Sequence, residues 1–130
     1  MEKDIIFIPP FKIRWGCWVP WCHLNDFVKK PRNKPGKIPD QPGVYEAKYI
    51  YSEERLHIGF TEKGLRKRIQ EMLKGKKDHS AGKRMADAGV DFKKVVVRWA
   101  VTRRPEAIEK ALMIRHLSKF DRIPIFDTEM

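Results

Sequence analysis

Seven basic side chains fall between Lys63 and Lys77, at positions 63, 66, 67, 68, 74, 76 and 77, against one acidic residue, Glu71. Lysine and arginine at this density neutralise phosphates, and binding built on them weakens steeply with salt. Such a run is commonly a solvated face. As a track for a nucleic-acid backbone its candidates are Lys63, Arg66, Lys67, Lys74, Lys76 and Lys77, with Lys83-Arg84 and Arg103-Arg104 as extensions. Cys17, Cys22 and His23 raise a zinc question. The spacing C-x4-C-H offers at most three ligands, two of them adjacent, with no second pair, which argues against zinc. Trp15, Trp18 and Trp21 can stack on exposed bases or pack on a core, and packing is the commoner use.

The 130 residues carry 28 Lys and Arg against 17 Asp and Glu, a net charge of +11. Basicity of this size points to a polyanionic partner, most often nucleic acid, and is silent on fold. Charge alone does not separate DNA from RNA. A hydrophobic content of 42% supports one packed core and argues against disorder. No apolar run approaches the roughly 18 residues of a membrane span. Met1-Glu2-Lys3-Asp4 lacks the basic start of a secretory leader. Two cysteines are too few for a disulfide scaffold. The expectation is a soluble, cytoplasmic protein with no membrane partner.

The elements that must position these residues follow from periodicity. Residues 1–41 read as an N-terminal arm. Ile5–Ile8 and Phe11–Trp15 are β-like, and residues 29–42 hold four prolines, one glycine and five basic residues. From residue 42 to 130 a regular domain is expected. Val44–Tyr51 and Arg55–Phe60 read as an antiparallel hairpin. Thr61 is placed to cap a helix whose apolar face is Leu65, Ile69, Met72 and Leu73, with Gly75 as its stop. Asp78 or Ser80 would cap a second helix ending near Ala88. Val95–Val101 is a β-branched strand, and Pro105 starts a helix to about Ser118. The order β-β-α-α-β-α implies an α+β fold with a small, three-stranded, mainly antiparallel sheet flanked by helices.

Gly43-Val44-Tyr45 and His57-Ile58-Gly59 lie on the two hairpin strands. They resemble the paired tripeptides Gly-Ile-Tyr and Tyr-Ile-Gly of the GIY-YIG endonuclease superfamily. Gly64-Leu65-Arg66-Lys67-Arg68-Ile69 is similar to that family's first helix, close to the version in the incision subunit of bacterial nucleotide excision repair. Glu109–Ile114 resembles its glutamate-bearing helix, and Pro124-Ile125-Phe126-Asp127 its closing Pro-x-x-Asn. The resemblance covers residues 42–127, five elements in order.

It implies cleavage of DNA phosphodiesters with one divalent cation, Mg²⁺ or Mn²⁺. Tyr45 matches the tyrosine that activates water or passes a proton, and a phenol near pKa 10 needs a cation nearby to do so. His57 replaces a tyrosine. Imidazole is the better base near pH 7, so the proton role can pass to it. Arg68 matches the arginine that holds the scissile phosphate through its planar donor fork, with Arg66 as the alternative. Met72 stands where many relatives carry His or Tyr and fits the apolar stripe instead, while His79 is a candidate substitute. Glu109 matches the metal ligand, and one carboxylate suffices for Mg²⁺ when phosphate supplies more oxygens. Asp127 replaces Asn. Ionised, it cannot donate a hydrogen bond, and it would add a metal ligand or repel phosphate. Two readings follow, a metal-dependent DNA endonuclease or a DNA-binding module with weak or no catalysis. Cutting both strands calls for two sites, which makes a homodimer a candidate assembly and the arm a candidate contact.

Overall fold

The computed structural model describes residues 5–8, 11–29, 37–76 and 79–128. Lys77, Asp78 and the arm residues Lys30, Arg32 and Lys34 lie outside them. β1 (Ile5–Ile8) pairs antiparallel with β2 (Phe11–Arg14) as a separate two-stranded ladder. A larger antiparallel sheet has the order β3-β6-β4-β5, from β3 (Val19–Pro20), β4 (Gly43–Tyr49), β5 (Arg55–Thr61) and β6 (Val95–Val101). Four α-helices complete the described fold: α1 (Leu24–Val28), α2 (Leu65–Lys74), α3 (Ser80–Asp87) and α4 (Pro105–Phe120).

The fold is therefore α+β, with four strands in the sheet rather than the expected three. The difference is β3. Two residues are too few to show alternation, and pairing of Val19 with Val97 makes them a strand. Pro20 is tolerated because β3 is an edge. The sheet order also leaves β4 central. It carries Tyr45 opposite Gly59 on β5 and opposite Trp99 on β6.

β4 is covered on both faces, and side chains alternate between them. Tyr45 and Ala47 join Leu24, Val28, Leu65, Ile69, Met72 and Met85 under α1, α2 and α3. Val44 joins Ile13, Trp15, Ile58, Ala100, Ile108, Leu112 and Met113 under α4. Burying each large side chain is worth roughly 1.5–3 kcal/mol, so these two layers hold the helices on the sheet. Trp15 is fully buried and Trp21 meets the Phe92 ring at 4.4 Å, so these two tryptophans pack.

Helix ends differ from expectation at two caps. Thr61 ends β5, and its hydroxyl accepts from the backbone N–H of Lys63 and Gly64, so the N-cap of α2 is Gly64. The N-cap of α3 is His79, whose Nδ1 accepts from Gly82 N–H, in place of Asp78 or Ser80. Gly75 stops α2 with φ of 61°, as expected. No helix among the described residues is long and apolar enough to cross a membrane.

Candidate active site

Cross-strand register and one missing side chain create the centre of the site. Tyr45 lies on the α2/α3 face of β4, directly across from Gly59. A Cβ at Gly59 would meet the Tyr45 ring, its hydroxyl at 2.5 Å and His57 Nε2 at 2.7 Å. Glycine is thus required for the phenol to lie over β5. Gly43 has a similar reason, since a Cβ there would strike Ala100 O and the Leu65 side chain. Both tripeptide glycines are steric necessities in this chain.

The C-terminal segment then folds back over the β5 edge. Asp121 ends α4 in the left-handed conformation, φ 60°. Ile125 N–H donates to Arg55 O and Phe126 N–H to Leu56 O. Arg84 of α3 donates through Nε and Nη2 to Phe126 O. This anchoring places Asp127 against β5. One carboxylate oxygen accepts from His57 Nδ1 at 2.5 Å, and the other from Ile58 N–H at 3.0 Å.

Tyr45, His57, Arg68, His79, Glu109 and Asp127 all line one cavity of about 170 Å³, with Arg84. Five elements and the C-terminal segment contribute. Tyr45 is 1% exposed. Its oxygen lies 2.7 Å from His79 Nε2 and 3.5 Å from His57 Nε2. Arg68, on the border of the α2 apolar face, lies 3.4 Å from Glu71 and lines the cavity beside the phenol.

The tautomers follow from the partners. Gly82 N–H can only donate, so His79 Nδ1 is an acceptor. Burial, with His57 and Arg68 nearby, pulls the His79 pKa down to about 2. His79 is therefore neutral, carries its proton on Nε2 and donates to Tyr45. His57 donates from Nδ1 to Asp127, which turns Nε2 toward the phenol. With His79 donating to its oxygen, Tyr45 has His57 Nε2, 3.5 Å away, as the acceptor for its own proton. Burial holds the Tyr45 pKa above its ordinary value, and Arg68 works against that rise. Asp127, His57 and Tyr45 thus form a chain of hydrogen-bonding contacts, with His79 as a further donor on the phenol oxygen.

Glu109 of α4 is half-buried. Burial first, then the charge of Asp127, raises its pKa to about 7. Such a carboxyl gains from a nearby cation. Asp127 orients His57 and accepts from Ile58 N–H, and it lines the same cavity as Glu109. Among the described residues no three His, Cys, Asp or Glu converge as a metal-holding group.

Other sequence candidates lie apart from the cavity. Arg66 is tied to Asp40 at 2.9 Å and to Val28 O, and does not line it. Met72 is fully buried in the core. Lys63, Lys67, Lys74 and Lys76 are exposed on and beside α2. Arg84 carried no sequence signal for this site, because its contact to Phe126 spans 42 residues and depends on α3 docking. No family model, curated protein or solved structure matches the chain.

Proposed function

We propose that the chain is a metal-dependent DNA endonuclease on a GIY-YIG-like domain. The observation that carries this reading is the convergence of Tyr45, His57, Arg68, Glu109 and Asp127 on one polar cavity. In the hydrolysis, a water oxygen bonds to phosphorus and the ester oxygen leaves. The water proton passes to Tyr45 as the phenol gives its own to His57, which Asp127 orients. Arg68 offers donors to the phosphate, where charge builds in the transition state. Glu109 is the residue to hold Mg²⁺ or Mn²⁺, and the raised pKa of its half-buried carboxyl suits a cation-binding role. Bound there, the ion would add Lewis acidity at the phosphate. The exposed lysines of α2 serve as the backbone track.

The test is incubation with supercoiled and branched DNA in Mg²⁺ or Mn²⁺. Metal-dependent nicking that disappears in Glu109→Ala is expected, and cleavage that survives in that variant overturns the site. A second reading, a DNA-binding module without catalysis, is favoured by the upward pull of burial on the Tyr45 pKa. A salt-sensitive gel shift without nicking would select it.

A further inference from the structure

A second cavity, of about 220 Å³, opens between the C-terminal half of α4 and the sheet. Its floor is a buried charge cluster. Glu46 is 2% exposed and Arg98 is 6% exposed. Glu46 Oε1 accepts from Arg98 Nε and lies 2.6 Å from Arg98 Nη2. Arg55 Nε is 3.0 Å from the same oxygen, close enough for ion pairing but off the line of a hydrogen bond. Two guanidiniums thus cover one carboxylate. Aromatic rings support this excess: Arg98 sits 4.4 Å from the centroids of both Trp15 and Trp18, and Arg55 5.0 Å from Trp18.

The rim adds Arg115 and Lys119, one turn apart on α4. Among the described residues neither makes an ion pair, and Lys119 only approaches the Phe120 ring. Arg55 Nη1 donates to Glu53 O, while its Nη2 has no hydrogen-bond partner among the described residues. His116 contributes no free donor, because Nε2 accepts from Arg55 N–H and Nδ1 donates to Arg122 O. Among the described residues the lining holds four cations, Arg55, Arg98, Arg115 and Lys119, and the carboxylates of Glu46 and Glu53. A structural ion cluster needs Arg98 and Arg55 but not Arg115 and Lys119, which bring uncompensated repulsion to a concave site.

We infer that this cavity binds a phosphate monoester dianion, whose charge suits the rim cations Arg115 and Lys119 and whose oxygens match the Arg55 and Arg115 guanidinium donors. The site is separate from the cavity of Tyr45 and Glu109, and the inference does not depend on the nuclease reading. A terminal phosphate of a nucleic-acid strand and a free phosphorylated compound share this chemistry.

The test is titration of the full chain with inorganic phosphate, followed by calorimetry, on wild type, Arg115→Ala/Lys119→Ala and Arg68→Ala. Both rim side chains are exposed, so the double variant should keep its melting temperature. Saturable binding that weakens by about tenfold or more in the double variant and is unchanged in Arg68→Ala is expected. Absence of saturable binding, or loss in Arg68→Ala instead, overturns the assignment. The charge reversal Arg115→Glu must weaken binding further, and if it does not the rim plays no part. Oligonucleotides with a 5′-phosphate or a 5′-hydroxyl distinguish the sources. A preference for the phosphorylated strand that vanishes in the double variant assigns a nucleic-acid end. Equal affinity for both strands, with phosphate still bound, assigns a free phosphorylated compound.

Discussion

Adding one methyl group at Gly59 should disable the site while leaving every polar residue in place. An alanine Cβ there would lie 2.5 Å from the Tyr45 hydroxyl and 2.7 Å from His57 Nε2, against ordinary contacts of 3.4–4 Å. The phenol must retreat by roughly 1 Å. It is 1% exposed and is backed by His79, which already donates to it at 2.7 Å. The retreat therefore overpacks the core, at a cost of about 1–3 kcal/mol. For a chain of this length that is a fall of roughly 4–12 °C in Tm. The contact from Tyr45 to His57 is stretched as well, so under the proposed nuclease reading DNA cleavage should fall by more than the loss of folded protein explains. Urea unfolding and a nicking assay on the same preparation separate the two effects. Gly16→Ala is the control, since among the described residues a Cβ there meets only Trp99 O, at 3.6 Å. If Gly59→Ala unfolds at the same urea concentration as Gly16→Ala, the steric account of the tripeptide glycine is wrong.

Glu109 makes stability depend on pH in a direction opposite to most carboxylates. Its pKa is about 7 when folded against an ordinary 4.5, so its contribution is complete below pH 4.5 and is lost as pH rises to about 7. Glu109→Gln should match wild type in Tm at pH 4 and exceed it at pH 8. Mg²⁺ should raise the wild-type Tm at pH 8 but not that of the variant, and equal responses would separate Glu109 from the metal. Glu46→Leu removes the buried carboxylate that Arg98 and Arg55 both face and should cost about 3–5 kcal/mol in urea unfolding. Adding Arg98→Met should recover part of that loss, and a single-variant cost under about 1 kcal/mol would show the cluster is not a buried ion pair. Asp127→Asn keeps the shape but removes the charge facing His57 Nδ1, so cleavage should drop by about 10²–10⁴-fold if the relay carries the proton. Unchanged cleavage would remove Asp127 from the mechanism.

Local periodicity was enough for most elements. The apolar spacing of Leu65, Ile69 and Met72 marks the buried face of α2, and the β-branched run Val95–Val101 has the bounds of β6. Gly75 and Pro105 act through their own backbone preferences, which is why they read correctly. The caps did not. His79 caps α3 because burial keeps its ring neutral and leaves Nδ1 a free acceptor, a condition set by residues packed around it.

The sequence by itself determined the charge, the α+β order of elements from residue 43 on, and a set of residues able to move protons and hold phosphate. Those properties belong to residue types and near neighbours along the chain. Tertiary structure alone decided that β3 pairs with β6, that Tyr45 lies over Gly59, and that Arg84 anchors the segment carrying Asp127 onto β5. It also set Asp127 against His57, and gathered Arg55, Arg98, Arg115 and Lys119 at a second cavity. Each of these rests on contacts between residues far apart in sequence. Their energy comes from burial and geometry that no local pattern encodes.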